Sequence, residues 1–585
     1  MSVVAAATDS RLPRIRVGDA AASIAACGAV AAWAFGRPGW HASRISSFGL
    51  VGALDGWFFL AVGLLVVSFA LAISRPRLSS PILVLDVVLL VGLLHGLGAT
   101  IESHASLPTT YTHAGFVEYI ARTGHGLPAV DARSGWPGFF SFAAVITALA
   151  GQPTALFLLR WSPLVFNLLL LAPVFVVARN LIGDVRAAWV ALWLFVIANW
   201  YGQDYFAPQA IALVLFLAVF AVATGPLGDH VRLARDALPS RVALPPALPA
   251  RARQILVVLL AVIALALMTG HQLTPVVLVL SSSVAVAMRR TRLRTFPILV
   301  GVLFLVWLSL AGQSFWTGHR HLLFGSVGHV SANVGRSVGR PASGHGARHI
   351  VLAVRLGVTA LLAAVAAAGV ARRWRAGGRP LTLVALALSP FPAVALQAYG
   401  GEVGIRAAMF ATPFLAALAA MAFVPTSAGT PGRASIAWLS IVSLVLSGGF
   451  LLARYGNEQF EQIPTGAMAA VDWVLAHAPP GSTIVTATPG APSNYRDIKR
   501  YDRHVLDEFD TSDVRSLSRR LGGRPERTYL IVSDNQQRWG ELLEGKKANW
   551  LDRFRDELMA CGCYDVRFHD PSANTWVFQP SKDRE

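Results

Sequence analysis

The sequence has few charged residues and few cysteines for its length, and each shortage excludes a class of protein. Asp, Glu, Lys and Arg make up 14% of the 585 residues, against 54% hydrophobic residues, which excludes an ordinary soluble protein. The three cysteines, Cys27, Cys561 and Cys563, are too few for a disulfide framework. The close pair in the tail has no second cysteine pair to complete a zinc site. We therefore predict no metal and no certain cofactor.

Long apolar runs fill most of the chain up to residue 454. A helix needs about 20 mostly apolar residues to cross a membrane, and runs such as Ile82–Leu97 and Ile255–Met268 approach that length. The pattern predicts a mainly α protein, a polytopic transmembrane helical bundle of about thirteen spans. The first run, near Ala20 to Phe35, is predicted to be a retained helix rather than a signal peptide. Asp55 and Asp86 lie in or near other apolar runs, where burying a carboxylate costs free energy. They are therefore predicted to pair with neighbouring helices.

Positive charge is concentrated in the turns between these runs. The formal net charge is +18, but the arginines before Gly456 do not form a face that could follow nucleic-acid phosphates. Groups such as Arg75 with Arg77, and Arg289 to Arg294, fit the positive-inside rule if they are cytoplasmic. This arrangement predicts a multi-pass protein of the cell membrane with a cytoplasmic amino terminus and an extracytoplasmic carboxy terminus.

The tail differs in composition from the rest of the chain. Charged residues become frequent from about Tyr455, and all four lysines lie there. Residues 1–454 are predicted to form the transmembrane domain with outer loops, the first being 100–137, and residues 455–585 a small extracytoplasmic α/β domain. We expect this domain to face the acceptor or to be structural. Its predicted helices are Pro464–His477 and Trp550–Met559, and its predicted strands are Thr483–Ala487, Tyr529–Ser533, Tyr564–Phe568 and Thr575–Phe578, the last two as a hairpin.

Acids, histidines and aromatic residues converge in the loops that this arrangement places outside. In the first outer loop, Tyr111–Arg122 predicts an amphipathic helix on the membrane surface, with Phe116, Tyr119 and Ile120 facing lipid or protein. Each polar residue alone has a simpler explanation as a solvated group, a surface ion pair or a helix cap. Their convergence predicts a polar vestibule that opens outward. The other four such loops are Asn199–Gln209, Gly270–Pro275, Gln313–His349 and Tyr399–Arg406.

The motifs of these loops resemble those of GT-C-type membrane glycosyltransferases, especially large actinobacterial members. The resemblance lies in YTHAGFVEYIARTGH, DARSGWPGFF, WYGQDYFAPQA, GHQLTP, YGGEVGIRAAMFATPF and the tail segment AMAAVDWVLAHAPPGSTIV. The chain differs from many relatives in two respects. It lacks an adjacent pair of acids after the first span, and two helices precede the expected catalytic core.

The resemblance implies an enzyme that transfers a hexose or pentose from a polyprenyl-phosphate carrier at the outer membrane face. The acceptor would be a glycan, lipid or protein of the cell envelope, and the carboxylate base would remove a proton from its hydroxyl with inversion. The partners would be the lipid bilayer, the lipid-linked sugar and this acceptor, without nucleic acid. The implied base is Glu102, Glu118 or Asp131, with Glu102 favoured because it is closest to the end of its span. The implied substrate-binding residues are His113, Gln203, Asp204, His271, Glu402 and Arg406, with His271 and Arg406 at the phosphate.

Other functions remain open at this stage. A polyprenyl-linked glycan transporter or flippase typically has matched halves with broken helices near the membrane midplane, but the sequence shows no clear internal repeat. An envelope polymer ligase or polymerase would use similar lipid-linked substrates and a large outer loop. A scaffold that merely anchors the outer domain would not need about thirteen spans.

Overall fold

The chain folds into a helical bundle with a small sheet after it. The computed structural model describes residues 17–127, 132–229, 248–313, 347–396, 402–425, 429–506, 514, 517 and 525–581. In these ranges seven helices are long and apolar enough to cross a membrane. They are Val17–Gly36, Gly56–Ile73, Ser162–Ile182, Ala250–Gly270, Ala347–Arg375, Val403–Ala420 and Arg433–Tyr455.

Seven further apolar helices in the described ranges are shorter. They are Ser80–His95, Gly138–Leu149, Val185–Ala198, Pro208–Thr224, Thr274–Ala287, Phe296–Leu310 and Leu381–Ala395. The predicted mainly α membrane bundle is confirmed, while the number of about thirteen spans stays a prediction. Short helices at Leu97–Ile101, Pro108–Thr123, Leu156–Leu159 and Glu458–Glu461 connect the longer ones.

Two acids within the apolar region have structural partners. Asp55 caps Gly56–Ile73, because its Oδ1 accepts from the backbone N–H groups of Trp57 and Phe58 at 3.1 and 3.3 Å. Asp55 therefore caps its own helix. The sequence had suggested instead that it pairs with a neighbouring helix. Asp86 does reach a neighbouring helix, where the Ser68 hydroxyl donates to its Oδ1 at 2.7 Å.

Arginine side chains join the turns at one end of the bundle. Arg186 donates to the carbonyl oxygens of Ile73 and Pro76, the latter at 3.2 Å. Arg290 Nε donates to the Thr382 hydroxyl at 2.8 Å and so joins the turn after Thr274–Ala287 to the helix Leu381–Leu388. The guanidinium group of Arg186 satisfies the last carbonyl group of the helix Gly56–Ile73, which is the negative end of that helix dipole. The basic turns thus lie at the end of the bundle opposite the first outer loop.

The carboxy-terminal part forms a five-stranded sheet with the order β2-β1-β3-β5-β4. Strand β1 pairs in parallel with β2 and β3, and β5 pairs antiparallel with β3 and β4. The strands are Thr483–Thr486 (β1), Asp502–Val505 (β2), Thr528–Val532 (β3), Tyr564–Asp570 (β4) and Thr575–Pro580 (β5), and the helices are Thr465–His477, Asp534–Leu543 and Trp550–Ala560. The predicted helices, the two single strands and the hairpin are confirmed. Strand β2 was missed because it is short, polar and largely exposed at the sheet edge.

The two faces of the sheet pack against different partners. Successive side chains of a strand point to opposite faces, and in β3 Leu530 belongs to a core beneath Trp550–Ala560. Its neighbour Ile531 belongs to a second core, shared with Thr465–His477 and with the first outer loop. In that loop Phe116 is 1% exposed, so the helix Pro108–Thr123, here called the loop helix, is largely buried in protein. The carboxy-terminal domain and the first outer loop are one packed unit.

Gly115 marks the closest approach between the loop helix and the carboxy-terminal domain. A Cβ at this position would overlap the carbonyl oxygen of Asn494, in the segment that follows β1. On either side of this contact, Asn494 Nδ2 donates to the Thr112 hydroxyl at 3.3 Å, and the Asp497 N–H donates to Glu118 at 3.2 Å. Only glycine allows the two backbones to approach so closely.

We predict that Gly115→Ala weakens this docking although alanine favours a helix. The added methyl group must displace backbone, which costs about 2 kcal/mol of unfolding free energy. Thermal unfolding of the purified protein in detergent, with limited proteolysis of the segment after β1, measures the effect. Gly92→Ala is the matched control, because Gly92 lies in the helix Ser80–His95 with open space at its Cβ. Equal stability of the two variants would contradict the docking described here.

Candidate functional site

A small cavity lies at one end of the bundle, where the loop predicted to be the first outer loop meets the end of the helix Arg433–Tyr455. Its enclosed part measures about 30 Å³, enough for about two water molecules. Four separate parts of the chain form its walls, namely residues 95–110, residues 159–163, Tyr205 and residues 454–458. The polar walls include Glu102, His104, Arg160, Tyr205, Arg454 and Glu458.

Glu102 is the buried acid of this cavity. It ends the short helix Leu97–Ile101, where its N–H donates to the carbonyl oxygen of Gly98 at 2.9 Å. The residue is 2% exposed, and the Ser106 hydroxyl donates to its Oε2 at 2.9 Å. Burial raises the pKa of the Glu102 carboxyl to about 7, although hydrogen bonds from Ser106 and Glu458 and the charge of Arg454 oppose the rise. A carboxyl group with this pKa can both take and return a proton near neutral pH.

Glu458 is a second buried acid, and sequence analysis missed it. It begins the one-turn helix Glu458–Glu461 just after the last membrane helix, is 2% exposed and forms a side-chain hydrogen bond with Glu102. Two carboxyl groups this close cannot both ionise easily. Glu458 falls in the segment whose composition predicts a separate domain, so its composition did not link it to the membrane helices. The sequence did contain one signal for Glu458, because an acid within one turn of the end of a predicted span, here Arg433–Tyr455, is a candidate site residue.

Asp204, one of the implied substrate-binding residues, lies in a buried cluster of protein groups. Its Oδ1 accepts from Arg454 Nη2 at 2.8 Å. Its Oδ2 accepts from Asn167 Nδ2 at 2.7 Å and lies 3.2 Å from His95 Nδ1. Burial alone would raise the pKa of Asp204, but Arg454 and the hydrogen bonds from His95 and Asn167 lower it to about 2. An ionised Asp204 therefore fixes Arg454 at the cavity wall.

Arg160 supplies donors that no described residue uses. Its Nε donates to the carbonyl oxygen of Ala99 at 2.8 Å, and its guanidinium lies over the Trp161 ring, 5.6 Å from the centroid. Within the described part of the chain, neither of its terminal nitrogens has an acceptor, and the residue lines the cavity beside Glu102. Burial lowers the pKa of the nearby His104, Asp472 opposes this and Arg160 adds to it. The guanidinium group of Arg160 is thus available to bind an anion in this cavity.

Tyr205 connects the cavity to a second group of predicted residues. It lines the cavity and stacks on His113, with ring centroids 5.8 Å apart and 8° between the planes. His113 Nδ1 lies 2.8 Å from the Phe206 carbonyl oxygen and its Nε2 lies 3.2 Å from Arg133 Nη1. On the other side, Gln209 Nε2 donates to the Tyr205 hydroxyl and to Gln203 Oε1, both at 3.0 Å. His113 and Gln203 therefore support the wall that Tyr205 forms.

The remaining predicted residues lie near Tyr205 but outside the cavity. Glu402 and Arg406 form an ion pair one helical turn apart, with 2.6 Å between Oε2 and Nη2. His271 follows the helix Ala250–Gly270, and its Nδ1 lies 2.7 Å from the Thr274 hydroxyl. Burial lowers the pKa of His271 well below its usual value, and the charge of Arg406 adds to this. A neutral His271 suits the alternative that the sequence left open, in which it caps a helix end.

Of the other two carboxylates of the first outer loop, the structure describes Glu118, which does not line the cavity. Glu118 Oε1 accepts from Arg122 Nε at 2.6 Å, and its Oε2 accepts from the Asp497 N–H. Glu118 thus holds the carboxy-terminal domain against the loop helix. Asp131 lies outside the described residues. Of the two candidate bases that the structure describes, Glu102 lies in the cavity together with Arg160.

The structure also bears on two predictions from the sequence, the absence of a metal and the absence of a disulfide framework. Within the described ranges, no group of three or more His, Cys, Asp or Glu residues is arranged to hold a metal ion, and the absence of a metal stays a prediction. Cys561 and Cys563 form a disulfide with 5.3 Å between their Cα atoms. The sequence had suggested no disulfide framework, and this single bridge joins residues only two positions apart.

Comparisons with known proteins give similarities of overall arrangement. No protein-family model and no curated protein sequence matches the chain. The oligosaccharyltransferase of Archaeoglobus fulgidus, solved with a tethered acceptor peptide, is 10% identical, with a TM-score of 0.48 over 90% of this chain and 74% of that one. ArnT from Cupriavidus metallidurans, solved with undecaprenyl phosphate, is 13% identical, with a TM-score of 0.48 over 86% of this chain and 98% of that one. At these values the likenesses assign no activity and no residue role to this chain.

We predict that Asp204→Asn strongly destabilises the protein. It leaves Arg454 buried without a counter-charge, which costs about 3–5 kcal/mol. The matched control is Glu402→Gln, because the Glu402 side chain is 54% exposed and such a pair contributes about 1 kcal/mol or less. Thermal unfolding in detergent compares the two variants. A loss in Asp204→Asn no larger than in Glu402→Gln would contradict the role given to the buried pair.

Proposed function

We propose that this chain is an integral-membrane glycosyltransferase of GT-C type. It transfers a hexosyl or pentosyl group from a polyprenyl-phosphate carrier to a hydroxyl of a cell-envelope glycan, lipid or protein. The reaction takes place at the outer face of the cytoplasmic membrane. The observation that carries the proposal is the cavity at the ends of the membrane helices, in which a buried carboxyl group and an unpaired guanidinium group face the same space.

The position of the cavity suits a lipid-linked substrate. Its walls begin where the helices Ser80–His95 and Arg433–Tyr455 end, so an isoprenoid chain in the bilayer would bring its phosphate to this level. Arg160 can bind that phosphate through its two free terminal nitrogens, a geometry that guanidinium groups favour. A sugar is larger than the enclosed part of the cavity, and its binding therefore requires the first outer loop and the walls to move apart.

Glu102 acts as the general base in this proposal. Its carboxylate takes the proton of the acceptor hydroxyl while that oxygen bonds to the anomeric carbon. The bond from the anomeric carbon to the phosphate oxygen breaks in the same step, and both bonding electrons leave with the polyprenyl phosphate. Arg160 stabilises the charge that grows on this leaving group. Direct displacement inverts the anomeric configuration.

Two observations support an outward-facing site. The arginine-bearing turns lie at the opposite end of the bundle, where Arg186 and Arg290 bind other turns, and such turns are typically cytoplasmic. The disulfide between Cys561 and Cys563 belongs to the domain that packs on the site, and disulfides persist in oxidising compartments outside the cytoplasm. The packed carboxy-terminal domain is then positioned to guide the acceptor.

We predict that Glu102→Gln lowers sugar transfer at least about 100-fold, because an amide cannot accept the acceptor's proton. Arg160→Ala should weaken donor use and raise its KM, since the phosphate loses its cation. The measurement is release of polyprenyl phosphate from synthetic polyprenyl-phosphate sugars by the purified full chain, with envelope acceptors present.

The variant Glu118→Gln tests which of the two described carboxylates of the first outer loop, Glu102 or Glu118, is the base. We expect it to keep transfer within about tenfold of the wild type, because Glu118 faces the carboxy-terminal domain rather than the cavity. Loss of transfer in Glu118→Gln with retention in Glu102→Gln would refute the assignment of the base. Movement of intact lipid-linked sugar across vesicles without release of polyprenyl phosphate would instead support a flippase.

A further inference from the structure

The carboxyl group of Glu458 faces that of Glu102 across the cavity, although the two come from opposite ends of the transmembrane region. The backbone fixes this meeting, because the Leu107 N–H donates to the carbonyl oxygen of Glu461 at 3.0 Å. Leu107 has φ 71°, a conformation that costs a non-glycine residue about 1–3 kcal/mol. The strained residue lies directly after Ser106, the hydroxyl donor to Glu102.

Each carboxyl group also has one buried oxygen without a partner, Glu102 Oε1 and Glu458 Oε2, among the described residues. Both residues are 2% exposed, so water compensates little. If both were ionised, two negative charges would lie in contact in a poorly solvated space. A single shared proton removes one charge and turns the contact into a strong hydrogen bond.

The surrounding charges do not neutralise a doubly ionised pair. Arg454 is a cation whose charge acts on both acids, but it already forms an ion pair with Asp204. Glu461 adds a further negative charge that acts on both. The other titratable groups along the cavity or beside the pair are His95, His104, Tyr111, Arg160, Tyr205 and Tyr455.

We propose that Glu458 and Glu102 hold one proton between them, and that Glu458 is a positioning residue for the base of the proposed transfer. Protonated Glu458 donates to the Glu102 carboxylate and orients it, while the cavity keeps one negative charge. Loss of this shared proton at higher pH leaves two negative charges beside the site where the anionic phosphate of the donor binds. This inference rests on the proposed function for its catalytic consequence, but the shared proton itself does not.

The kinetic test is the pH profile of transfer by the full chain. For the wild type we expect a bell-shaped profile, in which the rate falls up to tenfold per pH unit on the alkaline side as the shared proton leaves. Glu458→Gln keeps a hydrogen-bond donor for Glu102 but has no proton to lose, so the alkaline fall should disappear while the acid limb remains. Glu458→Ala also removes the donor, and its acid limb should move to higher pH. An unchanged alkaline fall in Glu458→Gln would overturn the proposal.

A second measurement reads the shared proton without activity. Infrared difference spectra of the purified full chain should show a protonated carboxyl band that persists above pH 7 in the wild type and is lost in Glu458→Gln and in Glu102→Gln. A band of equal size in all three proteins would overturn the proposal. If the wild type shows the band but transfers no sugar with any donor tested, the proposed function fails and the proton pair stands.

Discussion

The buried ion pair between Asp204 and Arg454 constrains the structure at the end of the bundle that holds the cavity. Asp204 and Arg454 are 250 residues apart in sequence and form an ion pair with 2.8 Å between Oδ1 and Nη2. Neither group could be buried there alone. The pair therefore holds the connector Asn199–Gln209 to the last membrane helix, and His95 and Asn167 bring two further helices to the same carboxylate. The cavity exists because these elements meet at Asp204.

The first outer loop and the carboxy-terminal domain complete this arrangement from the other side. One face of the sheet packs on the loop helix, so the loop that carries Glu102 is held by the carboxy-terminal domain. Such a shared core couples any movement of the domain to the walls of the cavity. Since a sugar needs a wider cavity, we expect the domain and the loop to move together when substrates bind.

The sequence predicted the fold better than the site, for reasons that particular residues make clear. Apolar runs and arginine-rich turns depend on local sequence alone, and they predict membrane helices reliably. Glu102 was found because it stands at the end of a span. Asp204 was noticed as a polar residue, but its partner Arg454 lies too far along the chain for any local pattern to reveal. Glu458 was missed for the same reason.

Arg160 shows what a closer use of the same rules could have found. Arginines outside the basic turns are unusual in a protein that follows the positive-inside rule, so an isolated one at the outer end of a span is a candidate for an anion site. The loop helix shows the opposite case. Its amphipathic pattern predicts a buried face correctly, but no pattern says whether lipid or a distant sheet covers it, and here the sheet does.

The most direct test of the central claim is photochemical cross-linking of a lipid phosphate to the full chain. A polyprenyl phosphate with a diazirine beside its headgroup would be bound in detergent and activated, and the labelled peptides would be identified by mass spectrometry. The account predicts labels on the first outer loop near Glu102 and on the turn that contains Glu458, both removed by excess unlabelled polyprenyl phosphate. Saturable labels on the arginine turns instead, or around Arg406 without the cavity, would contradict it.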